Sequence, residues 1–423
     1  MTSYGPSAMT RTERTVQWIC RVVIAVVLAL PVYLGARHGL LNLERNPMLE
    51  SAMAGAFLIH MRAKPKPAEW LSALALGSAF TIAYAWLHHG YGNSWGAAPF
   101  AYATFLGLGS LMVLIAQVFV GERSLRRLHR DTFFAAVAFA YFSFVLAFYL
   151  NWTATLQHRT YDLSLYGFDE ALQCRPSALI GSLMANSPAL ATTAMLVYRS
   201  LPLAICFLVA VEREAPGRFQ ARILPLFVTV GLAAASLHNL FPALGPLHFF
   251  GTDFPGNLPP LSSLVLQPVA QIAATRNAMP SVQFASALLI WWNAAGLARG
   301  WRWLATGAMA LTFLAALGFG QHYFVDLVVA IPLAVAVQSF ALRIRSWASH
   351  ERRTAFYGGV GLTVCWILAL RIGVFLNAPT LAWSAVVATL ALALWWKRGL
   401  DRGHRCLEQQ GLAMRPLILP QEP

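Results

Sequence analysis

Charge is what this sequence has least of. Of its 423 residues only 11% are charged, against 58% hydrophobic. That balance leaves too little polar surface for an ordinary soluble globule and too much apolar content for disorder. Cysteine is also scarce: five residues with no CxxC, of which Cys20, Cys206 and Cys365 fall in apolar runs, Cys406 near the C-terminus and Cys174 in a polar loop. This pattern offers neither a disulfide framework nor a zinc site. Fixed-period repeats and low-complexity tracts are absent too, which removes solenoid architectures from consideration.

What the chain does have is apolar runs of membrane-crossing length, about eleven of them. They cover residues 17–36, 70–88, 99–120, 132–153, 189–211, 222–240, 281–299, 302–319, 323–342, 354–375 and 380–396. A shorter segment, 49–61, reads equally as a tilted span, a re-entrant piece or an interfacial helix. The first run follows Arg11 and Arg14 and continues to about Gly35 without a clear small-residue cleavage site, so it reads as a retained span and not a signal peptide. Tryptophans such as Trp70, Trp152, Trp291, Trp301 and Trp303 stand near the span ends, as interfacial anchors do. The expected fold is therefore all-α and polytopic.

The net charge of +14 comes from 31 Lys and Arg against 17 Asp and Glu. These cations sit in alternate short loops: Arg123 to Arg130, Arg213 to Arg222, Arg299 and Arg302, Arg343 to Arg353, and Lys397 to Arg405. Such loops are expected on the cytoplasmic side, with the C-terminus, which accounts for the charge without a nucleic-acid partner. The intervening loops 89–98, 154–178, 241–280, 320–322 and 376–379 carry almost no Lys or Arg beyond Arg159, Arg175 and Arg276 and should face the other side.

The residues with chemical potential fall in those other loops. Gly320-Gln321-His322-Tyr323-Phe324-Val325-Asp326 places an imidazole and a carboxylate four residues apart at the start of a span, so they share a helix face and the carboxylate can orient the ring. A histidine so held is a candidate nucleophile or base, although a satisfied interfacial histidine fits the same spacing. Asn277-Ala278-Met279-Pro280-Ser281-Val282-Gln283 opens the span 281–299. Pro-Ser at a helix start gathers free N–H groups, a hydroxyl and the positive dipole end, which suits phosphate but is also simply a good helix start. Phe241-Pro242-Ala243-Leu244-Gly245-Pro246-Leu247-His248 is a rigid, turn-rich loop. His88 and His89, adjacent and without a nearby carboxylate, read as interfacial.

Taken together, the order and spacing of these three segments resemble the type 2 phosphatidic acid phosphatase superfamily. The final motif is similar to that of the inositol phosphorylceramide synthase branch, and Tyr161 to Asp169 is similar to the acidic segment that precedes the core there. The resemblance covers about residues 155–342 and implies a six-helix catalytic core over 151–345, preceded by spans of unknown role in 1–150 and followed by spans and a basic tail in 346–423. It implies that His322 attacks phosphorus to form a phosphohistidine and that Asp326 orients it. No metal or cofactor is needed, because positioned cations and dipoles can stabilise the transition state.

The sequence departs from the family pattern at Gln283, where a histidine normally protonates the leaving oxygen. A positioned acid contributes roughly 10²–10⁴ in rate, so poor alkoxide leaving groups should suffer most and diphosphates least. His248 or His238 could substitute. The usual phosphate-binding cations are incomplete as well: Phe168 replaces a lysine ahead of Arg175-Pro176, and Ala316 replaces an arginine. Arg175, Arg199 and Arg276 are the candidate replacements, each of which could instead pair structurally with a carboxylate such as Asp162, Asp169 or Asp253. Pro280, Ser281, Asp162, Asp169 and His248 complete the expected substrate site.

The expected activity is that of a lipid phosphotransferase or phosphatase, with a phospholipid or lipid diphosphate donor and a lipid or water acceptor. A catalytically impaired lipid-binding relative is the second expectation, and a lipid transporter the third, since the spans carry almost no charge apart from Arg21, Arg199 and Asp326. Short loops predict a bacterial cytoplasmic membrane with the site facing the periplasm. A Golgi-type membrane with a luminal site satisfies the same topology.

Overall fold

The computed structural model describes residues 47–87, 97–263, 265, 267–270, 275–343 and 347–409. The expected span 17–36, His88 and His89 lie outside these. Four helices come first: α1 (Pro47–Arg62), α2 (Pro67–Leu87), α3 (Ala97–Val120) and α4 (Arg126–Leu156). They pack through small residues. A side chain at Gly77 would strike Leu106, and one at Gly107 would strike the backbone of Met53, so these close approaches tolerate only glycine.

The segment carrying the motifs follows as α5 (Asp162–Ala171), α6 (Pro176–Ala185), α7 (Pro188–Arg199), α8 (Leu201–Glu214), α9 (Ile223–Leu240), α10 (Pro246–Phe250), α11 (Val282–Asn293), α12 (Arg299–Gly318) and α13 (Phe324–Phe340). Two long helices, α14 (His350–Ile372) and α15 (Pro379–Gln409), close the chain. Among the described residues the only sheet is a two-stranded antiparallel clasp pairing Arg159 with Ala270 and Thr160 with Val269.

Six described helices are long and apolar enough to cross a membrane: residues 67–87, 102–120, 126–150, 223–240, 350–372 and 379–402. A seventh is reached if α6 and α7, bent by 115° against each other, count as one broken span. Among the described residues, the spans expected there are not all reached by length and composition. The reason lies in the core. The run expected over 189–211 is interrupted at Ser200, between α7 and α8, with Pro202 opening the second piece. The run over 281–299 holds only 12 helical residues and that over 323–342 only 17, roughly 18 and 26 Å of helix.

The basic loops gather at one end of the bundle. Arg62 pairs with Glu214 and Lys66 with Glu122. Arg343 pairs with Glu212, Arg213 donates to the carbonyl of Asp131, and Gln220 donates to Asp401. The motif loops meet at the opposite ends of α9 and α13. There Tyr161 N–H donates to Pro242 O, Ala278 N–H to Ala243 O, and Leu247 N–H to Gly320 O at 2.8 Å. The separation of basic loops from loops poor in Lys and Arg read from the sequence is thus a physical separation along the helices.

Candidate active site

His322 lies between α12 and α13 and is 1% exposed. Its Nδ1 is 2.8 Å from the carbonyl oxygen of Ala278. A carbonyl can only accept, so Nδ1 carries the proton. Burial, opposed by that hydrogen bond, pulls the His322 pKa down to about 4, so the ring is neutral at physiological pH and Nε2 bears the lone pair. The side-chain oxygen of Gln283 stands 3.2 Å from Nε2. Two acceptors would repel, and a half-turn of the amide presents its NH₂ instead, an exchange of two atoms of nearly equal size. Gln283 is partly exposed, which marks the side from which the ring can be reached.

Asp326 plays a different part from the one its spacing implies. His322 precedes the helix, and Asp326 is the third residue of α13, where Oδ2 accepts from the Tyr323 N–H at 2.7 Å in a capping box. The same Oδ2 is 3.6 Å from His322 Nδ1, a close electrostatic contact but longer than a hydrogen bond. The atom that fixes the tautomer is the Ala278 carbonyl, for which a sequence carries no signal.

Ser281 is wholly buried and caps α11, its hydroxyl accepting from the Phe284 N–H at 3.2 Å. The Ser281 N–H in turn donates to the carbonyl of Asp326 at 3.2 Å, joining the starts of α11 and α13. Pro280 presents its carbonyl to Nε2 of His238 at 3.0 Å. His238 therefore lies buried beside the site, whereas His248, on α10, is exposed to solvent.

The three arginines separate. Arg175 is exposed and pairs with Glu170, a carboxylate five residues away that the sequence reading did not name, through Nε–Oε1 at 2.5 Å and Nη2–Oε2 at 2.9 Å. It lines a small cleft with Asp169, Ser177 and Tyr323. Arg276 is fully buried, donates from Nε to the carbonyl of Gln157 at 3.1 Å, and feels the charge of Asp162. Arg199 is exposed at the break between α7 and α8, where its carbonyl accepts from Ser51.

The two acids of α5 are more deeply engaged than expected. Asp162 accepts from the N–H groups of Leu244 at 3.0 Å and Gly245 at 2.9 Å. Asp169 accepts from the Phe324 N–H at 3.1 Å and from the Ser177 hydroxyl at 2.5 Å. Burial pushes Asp162 up to about 6 and Asp169 up to about 7, against the pull of those hydrogen bonds, with the nearby Asp326 adding to the second shift. Tyr323 is buried among all three carboxylates.

An all-helical chain with membrane-length spans and a buried histidine between two helix starts is thus defined. Residues 163–340 match the family model of the PAP2 superfamily. No curated protein and no solved structure matches the chain. The matched segment contains α5 through α13 almost entire, and leaves outside it α1 to α4, α14 and α15.

Proposed function

We propose that the protein is a membrane lipid phosphotransferase or phosphatase that works through a phosphohistidine on His322, at the non-cytoplasmic face, with its C-terminus cytoplasmic. The observation that supports this most is the tautomer. Nδ1–H is committed to the Ala278 carbonyl at 2.8 Å, so the lone pair sits on Nε2, the nitrogen facing Gln283. In the first half-reaction Nε2 attacks phosphorus and the bond to the leaving oxygen breaks, that oxygen keeping the electron pair. In the second, a lipid hydroxyl or water attacks phosphorus as its proton passes to bulk water, and the P–Nε2 bond breaks with Nε2 recovering its lone pair.

Gln283 would donate a hydrogen bond to the leaving oxygen but no proton, which favours donors whose leaving group is already acidic. Pro280 and Ser281 open a helix whose free N–H groups suit a phosphoryl oxygen. Arg175, the one of the three arginines at the cleft with Asp169 and Tyr323, would be the cation for a headgroup. A second reading, a lipid-binding relative without turnover, rests on the same Gln283.

Full-length protein in lipid bilayers, given a panel of phosphorus-labelled phospholipids and lipid diphosphates, separates the two. Acid-labile, base-stable label on the wild type that disappears in His322→Ala supports catalysis and names the donor. No label on the wild type but label on Gln283→His supports the binding protein. Label that survives His322→Ala refutes the phosphohistidine.

A further inference from the structure

Asp162 and Asp169 are seven residues apart on α5, two helical turns, so they project from one face about 10 Å apart along the axis. Each binds a different loop of the site. Asp162 takes two backbone N–H groups of the turn at Leu244 and Gly245. That turn lies directly on the nucleophile loop, since the Leu247 N–H donates to Gly320 O, and a side chain at Gly245, whose φ is +90°, would strike the carbonyl of Gln321. Asp169 takes the N–H of Phe324, the first residue of α13 and two beyond His322.

The helix is itself clamped from outside the family-matched segment. Phe168 meets Trp366 edge-on at 5.5 Å and Phe375 at 5.2 Å, and those two rings stack at 5.1 Å. Trp383 donates from its indole to the carbonyl of Leu172, and Arg371 reaches the Tyr161 hydroxyl at 2.8 Å. Phe168, Trp366 and Phe375 belong to one buried cluster with Tyr323 and Val325.

From this we infer that α5 is a positioning element for the site: Asp162 sets the 242–247 turn, Asp169 sets the start of α13 just after His322, and α14 and α15 hold α5 in place. The inference rests on the reading of His322 given above. It assigns a role to the C-terminal helices, which the matched segment does not include. Two buried carboxylates are costly in a site for an anion. Spending both on backbone N–H groups is understandable if the placement of those loops is what they secure.

The test uses full-length protein in lipid bilayers, with hydrogen exchange read peptide by peptide, melting temperature as a control for folding, and orthovanadate as the phosphoryl probe. Asp169→Ala should raise exchange over 322–326 by at least about tenfold and weaken vanadate binding by at least about tenfold, while leaving 242–247 protected. Asp162→Ala should do the reverse for exchange. The Asn variants, which keep an acceptor oxygen, should recover most of both effects. If Asp169→Ala does not fold, Ser177→Ala and Asp169→Asn are read in its place, with Ser177→Ala expected to loosen 322–326.

Folded variants with unchanged exchange in both loops overturn the inference, as does an Asn variant no better than its Ala counterpart. His322→Ala is the separate control. If it binds vanadate as the wild type does, the phosphohistidine reading fails, while the exchange data still decide the role of α5.

Discussion

The Nε2 atom of His322 and the side-chain amide of Gln283 face each other at 3.2 Å, with the far nitrogen of the ring tied to the Ala278 carbonyl. The amide can therefore only donate to Nε2 or to whatever replaces it there. This makes Gln283 a neutral hydrogen-bond donor toward the ring.

Gln283→His should restore proton donation. On a donor with an alkoxide leaving group the rate should rise by about 10²–10⁴, and on a lipid diphosphate by far less. The ratio of kcat for the two donors, variant against wild type, measures this. Equal gains on both would show that leaving-group protonation is not what the glutamine lacks.

The pH dependence follows from the buried groups. With the His322 pKa at about 4, phosphoenzyme formation should stay level from neutral pH down to about 5 and fall only below that, where a solvent-exposed histidine would already lose half its activity near 6.5. Single-turnover labelling across pH 3.5–8 checks it.

Asp169 carries the opposite linkage to the usual paired carboxylate. Its folded pKa is raised to about 7, above the unfolded value of about 3.9, so the folded state holds the proton more tightly. The stabilisation is complete below about 4 and is lost as pH rises through about 7. Asp169→Asn should remove this contribution, so its melting temperature should fall less than that of the wild type between pH 4 and 8. His322, whose folded pKa is lowered, acts in the reverse sense between about 6.5 and 4 and is present in both proteins, so it cancels in the comparison.

Gly245→Ala introduces a Cβ at φ +90° against the Gln321 carbonyl. Strain of this kind costs about 1–3 kcal/mol before the clash is counted. A lower melting temperature, together with reduced vanadate binding, is expected. Gly251, also at positive φ but with open space around it, should cost only the strain when changed to alanine.

Trp366 is 3% exposed in the clamp on α5. Trp366→Ala should cost about 3–5 kcal/mol and raise exchange over residues 161–172. Trp366→Phe, which keeps a ring against Phe168 and Phe375, should recover most of the stability.

Much of the fold was legible because its signals are local. Runs of apolar residues announce helices, and the separation of arginine-bearing loops from the rest corresponds to the two ends of α9 and α13. The core helices were harder. Ser187-Pro188 bends α6 against α7 and Ser200 interrupts the next span, because proline removes a backbone donor and its ring crowds the preceding turn. Hydropathy averages over such breaks.

The motif residues His322, Gln283, Ser281 and Asp326 stand together as their order implied, while Arg199, Arg276 and His248 do not join them at hydrogen-bond distance among the described residues. Arg175 had its partner, Glu170, close in the chain, and an i,i−5 pair flanking a helix end could have been named from the sequence.

What the sequence determined by itself was an all-helical membrane chain with its candidate site residues in the loops poor in arginine, because burial of apolar surface and the cost of moving charge across lipid depend on composition alone. Tertiary structure alone decided which nitrogen of His322 is free and that α5 joins two loops of the site. Those outcomes rest on hydrogen bonds to backbone atoms 44, 82 and 155 residues away. Every residue offers the same carbonyl and every residue but proline the same N–H, so no side-chain pattern could mark which of them would be used.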